Sequence, residues 1–192
     1  MKKVTAVKSE NRAGYFVKRG FAFAVDWYLS SVLLNLVMRL VLIWSGKGDA
    51  VGDIIKYDNV TNIITIILPL IIDFIYYVYL PSRSEKSQTV MMKAVRLEIV
   101  NEDNTKANFI TLFKRFFIGC FLLQGILYNS FNIILRTILR IFSVENIENI
   151  DKMVAIPMFI IIGISVIMSI RDNKNNQTLH DKIFSTYVKE IN

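Results

Sequence analysis

Four apolar stretches of bilayer-crossing length set the limits on what this chain can become. They run over roughly 21–44, 60–80, 116–139 and 153–170. A helix rises about 1.5 Å per residue, so about 20 residues cross a hydrocarbon core of about 30 Å. The hydrophobic share, 53% of 192 residues, does not by itself exclude a soluble domain. Its concentration in four blocks argues against one, because a soluble core draws on short periodic runs. An outer-membrane barrel needs short segments of alternating polarity, and none is visible. The sequence therefore predicts an all-α polytopic membrane protein with four transmembrane helices and the lipid bilayer as its first partner.

The net charge of +7 is a signal of orientation. Lys2, Lys3, Lys8, Arg12, Lys18 and Arg19 precede the first stretch, and Arg83, Lys86, Lys93, Arg96, Lys106, Lys114 and Arg115 lie between the second and third. Arg171, Lys174, Lys182 and Lys189 follow the fourth. The other two connections are acidic, with Asp49, Asp53, Asp58, Glu145, Glu148 and Asp151 beside Lys47, Lys56 and Lys152. The positive-inside rule then places the N-terminus, the C-terminus and the long middle connection in the cytoplasm, and the acidic connections outside. No nucleic-acid partner is implied. Cys120 is the sole cysteine, so no disulfide forms within the chain. The first stretch is longer than a signal-peptide apolar region, and no small-residue cleavage site follows it, so it is expected to stay. The Ile, Asn and Lys content points to a low-GC bacterium and hence to a bacterial cytoplasmic membrane.

The chain reads as one membrane domain over 1–192 made of one unit used twice, about 14–100 and about 110–192. Each unit opens on a basic pair, Lys18-Arg19 or Lys114-Arg115. A second arginine, Arg39 or Arg136, lies 20 or 21 residues beyond that pair's arginine, about one bilayer thickness away. Each unit closes on a Gln-Thr segment with a lysine five residues after the glutamine: Gln88, Thr89 and Lys93 in one, Gln177, Thr178 and Lys182 in the other. Both segments are expected to form short amphipathic helices at the inner face. After each, apolar and charged residues alternate, at Val95–Ile99 and Thr186–Lys189, which predicts a small β element.

These residues carry a resemblance. Arg19 and Asp26, seven apart in Arg19-Gly20-Phe21-Ala22-Phe23-Ala24-Val25-Asp26-Trp27, resemble the first motif of the RDD family of membrane proteins. Gln177-Thr178-Leu179-His180-Asp181-Lys182 is similar to that family's C-terminal motif, which makes Asp181 its second aspartate. Gln88-Thr89 with Lys93 resembles the middle motif, except that Met92 stands where the family usually has glycine. The resemblance implies a multi-pass membrane protein. Its members have been proposed as transporters, some as cation/proton exchangers, and others as partners of membrane proteins in envelope stress.

Asp26 carries the functional question. A carboxyl at membrane depth costs roughly 2.5–3.5 kcal/mol even on lenient scales. By distance from the inner ends of their stretches, Asp73 and Gln124 reach a depth comparable with that of Asp26. On one reading, Asp26, Asp73 and Gln124 line an inward-facing polar cavity in which paired carboxyls exchange a proton for a small cation. On the other, Asp26, Asp73 and Asp181 neutralise Arg19, Arg115 and Lys182 and dock the cytoplasmic segments. A small ion or solute carrier is the expected function, and four helices enclose so little space that a homo-oligomer is expected with it. An accessory protein that binds another membrane protein, in envelope stress or toxin protection, is the alternative. His180 has no zinc-like spacing around it, and no nucleophile elbow or phosphate loop is present. No metal, cofactor or enzymatic activity is expected. Pro69 is expected to kink the second stretch, and Tyr76, Tyr77 and Tyr79 to form a headgroup belt.

Overall fold

The computed structural model describes residues 12–46, 58–144, 146–171 and 176–191. The basic leader through Lys8 and several charges of the connections (Lys47, Asp49, Asp53, Lys56, Glu145 and Lys174) lie outside the described residues.

Among the described residues, three helices are long and apolar enough to cross a membrane. The first, α1, runs Arg12–Trp44 and begins well before the apolar stretch, so that Lys18 and Arg19 lie within the helix. The second, α2, covers Asn59–Phe74 and is helical through Pro69. It continues as a π-helical turn, Ile75–Tyr79, and a last turn, α3, Leu80–Arg83. The third, α7, covers Ile147–Ile170 and takes Glu148 into its first turn, where the helix dipole favours an acid.

The stretch expected to be an unbroken helix over 116–139 is broken. It consists of α5 (Phe109–Lys114), a π-helical segment (Arg115–Leu122), a 3-10 turn (Gly125–Leu127) and α6 (Asn129–Ile141). The backbone leaves the helical region at Gln124 (φ −128°, ψ 22°) and is extended at Tyr128 (φ −98°, ψ 126°). Gly125 permits this, because the Phe131 ring folds back to within 2.5 Å of where a Cβ would sit. The freed carbonyls find donors, as backbone at membrane depth requires. Asn132 Nδ2 donates to the carbonyls of Ile126 (3.2 Å) and Tyr128 (3.1 Å), and the Trp27 indole N–H donates to that of Leu127. Beyond the break, α6 buries Ser130 and Thr137 against α2 and leaves Arg136 to pair with Asp151 at 3.0 Å. Hydropathy alone hid this, because the apolar residues of α6 are numerous enough to fill a window.

The two Gln-Thr segments share one backbone course. Helix α4 is Val90–Ala94, capped by Thr89 and followed by β1, Leu97–Asn101. Helix α8 is Leu179–Ile183, capped by Thr178 and followed by β2, Thr186–Glu190. Left-handed residues flank both helices at matching positions, Ser87 and Arg96 for α4, Asn176 and Ser185 for α8. Gln88 Nε2 donates to the carbonyl of Leu97 at 2.6 Å, and Gln177 Nε2 donates to that of Thr186 at 2.8 Å. The two strands pair antiparallel, with Ile99 opposite Val188 and Glu98 opposite Lys189. The predicted β element is thus one two-stranded sheet joining the two segments. The Tyr15 hydroxyl donates to the Val188 carbonyl at 2.7 Å, and Lys18 pairs with Glu190 at 2.6 Å, fixing the foot of α1 to the sheet.

Candidate functional site

Three buried carboxyls organise the polar interior, each with different partners. Asp181 is fully buried and sits at the third position of α8. Its side chain accepts from the Thr178 N–H (3.2 Å) while the Asp181 backbone N–H donates to the Thr178 side chain, a capping box, and the Thr178 hydroxyl also donates to the carboxylate (2.7 Å). Two guanidinia then converge on it. Arg115 donates Nη2 to Oδ1 at 2.8 Å and Nε to the same oxygen at 3.0 Å, and Arg19 donates to Oδ2. Arg19 also donates to the Asn176 carbonyl at 2.9 Å. Burial alone pushes the Asp181 carboxyl up, but the charges of Arg19 and Arg115 overcome it and hold the group well below the usual carboxylate range.

His180 lies beside this cluster. Its Nε2 is 3.0 Å from the Thr178 hydroxyl and 3.3 Å from Arg115 Nη2. Its Nδ1 is the one buried side-chain nitrogen or oxygen without a partner among the described residues. Burial pushes its pKa down to about 3 against the pull of Asp181, with the neighbouring guanidinia adding to the drop, so the ring is neutral near pH 7. Gly119 allows this approach: a Cβ there would stand 2.5 Å from the His180 Cβ. No group of three metal-ligating side chains occurs among the described residues.

Asp26 is 3% exposed and has no arginine or lysine partner among the described residues. Its donors are the Tyr76 hydroxyl (2.8 Å), the Met91 backbone N–H (3.0 Å) and the Thr89 hydroxyl. The expected pairing with Arg19 or Arg115 fails on geometry. Arg19 lies two turns away on the same helix, about 10 Å along the axis, and Arg115 is already committed to Asp181. Asp26 instead caps α4 from outside, while Met92 occupies the place that Asp181 holds in α8. Lys93 and Lys182, the matching lysines, are both exposed, so Lys182 does not neutralise Asp181.

Tyr76 and Tyr77 face inward rather than forming a headgroup belt. The π turn brings the Tyr77 hydroxyl to 2.8 Å from Ser30 Oγ, one turn beyond Asp26, and Tyr77 stacks on Phe116 at 4.8 Å between centroids. Asp73 is also buried, and its donor is the Ser130 hydroxyl on α6.

A half-open cavity of about 260 Å³ lies between α1, the π-helical segment and α7. Asp26, Gln124, Arg19, Arg115 and His180 reach its wall, together with Thr89 and Thr178. Phe16, Phe23, Phe116, Ile162 and Val166 make the rest largely apolar. Ser165 and Ser169 are the polar contribution of α7; Ser165 Oγ accepts from the Leu179 N–H at 3.2 Å and holds α8 beneath it. Asp73 is not part of this wall. Of the expected cavity residues, the structure brings Asp26 and Gln124 together and places Asp73 in the α2–α6 contact. Sequence reasoning missed Tyr76, Tyr77 and Ser130 as partners of membrane-depth polar groups. Nothing in their spacing marks them, since the π turn and the helix break set their directions.

The RDD family model matches residues 13–185. The chain belongs to the RDD family. It is a multi-pass membrane protein, and Arg19 and Asp181, distant in sequence, meet in one RDD charge cluster. Comparison with curated proteins and with solved structures finds no match.

Proposed function

We propose that this RDD protein admits a small ion or polar solute into the cavity beside Asp26 and moves it across a bacterial cytoplasmic membrane without covalent chemistry. One observation carries the reading: Asp26 and Gln124 share the wall of a cavity open to one side and otherwise mostly apolar. Such a wall favours a ligand that meets few, well-placed polar groups. Asp26 suits that role because its partners are hydroxyls and an amide, each worth about 1.5–3 kcal/mol to a charged acceptor, and none is a fixed counter-charge. Water or a solute can replace them one at a time. The broken element from α5 to α6 serves as a fourth crossing, giving two tandem pairs whose closing segments share one backbone course. The sheet, α4 and α8 then face the cytoplasm with the basic residues.

The test is flux in proteoliposomes, with pH-driven sodium or potassium movement as the first panel. Asp26→Asn is expected to lower flux at least tenfold, whereas Asp73→Asn acts only through the amount of folded protein. Unchanged flux in Asp26→Asn would overturn the assignment.

A second reading has its own support. Only 11% of the most apolar window of α7 is buried within the chain. That helix offers a broad apolar face to a second copy or another membrane protein, as an accessory role requires. Absence of flux for the whole panel, with α7 cysteines cross-linking to a neighbouring membrane protein, would favour this reading.

A further inference from the structure

A second concavity lies beyond the first along α1. It is an open notch of about 380 Å³ lined by Trp27, Ser31, Asn35, Asn129 and Asn132, with Tyr28, Val32, Ile126 and Leu127 completing it. The cavity follows α1 from Phe16 to Asp26, and the notch follows it from Trp27 to Asn35. At about 1.5 Å per residue the two together accompany the helix for about 28 Å, close to a hydrocarbon thickness of about 30 Å. The positive-inside orientation puts the notch in the outer half. Leu127 borders both spaces, and the indole N–H of Trp27, the residue after Asp26, donates to the Leu127 carbonyl. The two spaces thus share Leu127, and the Trp27–Leu127 contact lies at the helix break where they adjoin.

The chemistry of the notch is unusual for its depth. Three amides and a hydroxyl line it, and Asn35 is exposed and accepts from Asn129 Nδ2 at 3.0 Å. Part of their demand is met within the chain, Asn132 donating to the Ile126 and Tyr128 carbonyls and Asn129 to Asn35, but the amide groups left over would lose their water in hydrocarbon at a cost of several kcal/mol each. The same amides facing a hydrated notch keep it.

We propose that the notch is an outer vestibule for small hydrophilic solutes and that the Trp27–Leu127 contact is the gate between it and the inner cavity. This rests on the transport reading and supplies its path. The solute passes along α1 beside the broken helix, and Trp27 swings off the Leu127 carbonyl to let it through. Among the described residues no charged side chain lines the vestibule, so their wall admits polar species without selecting charge, and selection falls to the Asp26 side of the gate.

Cys120, the sole cysteine, lines the inner cavity and serves as the reporter. The experiment uses the full-length protein in membranes whose outer face alone meets a small, charged, membrane-impermeant methanethiosulfonate. In the otherwise native protein Cys120 is expected to stay unmodified. In Trp27→Ala its modification should accelerate at least tenfold. Trp27→Phe, which keeps the ring but cannot donate to Leu127, should give an intermediate rate and stands in where Trp27→Ala does not fold. A second arm places Ser31→Cys in a Cys120→Ala background, and this thiol should react from outside with the gate intact. Protection of Ser31→Cys would overturn the vestibule and indicate lipid or a second copy over the notch. Protection of Cys120 in both Trp27 variants would overturn the gate. The readout is accessibility, so failure of the Asp26 flux test leaves these rates unchanged and the two failures remain distinct.

Discussion

Lowering the pH should loosen the end of the protein that carries the two-stranded sheet through His180, and the size of the effect follows from its burial. An ordinary histidine titrates near 6.5, but in the folded protein the ring resists protonation down to about 3. Between those values the unfolded chain binds a proton that the folded chain refuses, so stability falls as pH falls through this window. At pH 4.5, two units below the unfolded pKa and still above the folded one, the loss is about 2.7 kcal/mol at 1.36 kcal/mol per unit. Asp181 contributes almost nothing to the slope here. Its folded pKa is depressed, so its stabilisation is complete above about 3.9 and is lost only at lower pH, as the folded value is crossed. The assay is thermal unfolding in detergent at pH 7.5 and 4.5 for the native protein and His180→Gln, whose amide reaches the position of Nε2 without titrating. At about 2–4 °C per kcal/mol, the native protein should lose about 5–11 °C more than the variant, the carboxylates common to both cancelling. Parallel losses within about 2 °C would refute the claim that a neutral, largely enclosed His180 is built into the fold.

Three further outcomes test the rest of the interior. Asp181→Asn should cost about 3–5 kcal/mol by stranding two guanidinia, and adding Arg115→Gln should recover part of the lost Tm; no recovery would mean the two arginines do not depend on that one carboxylate. Gly119→Ala should cost about 1–3 kcal/mol by overpacking, and because the clash is with the His180 Cβ itself, unfolding temperature should be rescued by His180→Gly and not by His180→Ala. Ser130→Ala removes the hydroxyl donor to Asp73 and should cost about 1–3 kcal/mol, read as a lower Tm, while Cys120 accessibility stays unchanged because Asp73 lies outside the cavity wall.

What could be read from sequence was whatever repeats or fills a long window. Three of the four apolar stretches became continuous helices; Thr186–Lys189 lies within β2, while the alternation at Val95–Ile99 overlaps β1 only from Leu97, Val95 and Arg96 forming the C-cap and left-handed turn after α4. The duplicated Gln-Thr segments proved to be backbone devices, each glutamine reaching the carbonyl nine residues on. The break at Gln124–Tyr128 was hidden because it depends on Phe131 covering Gly125 and on Trp27 and Asn132 supplying donors, contacts between residues that no periodicity links. Tyr76 and Tyr77 pointed inward for a similar reason, since a π turn rotates the helix face locally and leaves no mark on hydropathy.

The division of labour between the two motif aspartates follows from what each can reach. Asp181 is fixed by its own capping box beside the sheet-side ends of α1 and the π-helical segment, where Arg19 and Arg115 arrive from two helices. Leaving that site means unpairing two buried cations, at about 3–5 kcal/mol for a broken pair. Asp181 is therefore a fixed charge that ties α1, the π-helical segment and α8 together. Asp26, further along α1 by seven residues, meets the N-terminus of α4 and a tyrosine, where only dipoles are available. Exchanging one dipole for another costs a fraction of breaking an ion pair. Of the two carboxyls, the one without a guanidinium is thus the one that meets the requirement of the transport proposed above, and it is also the one next to Trp27.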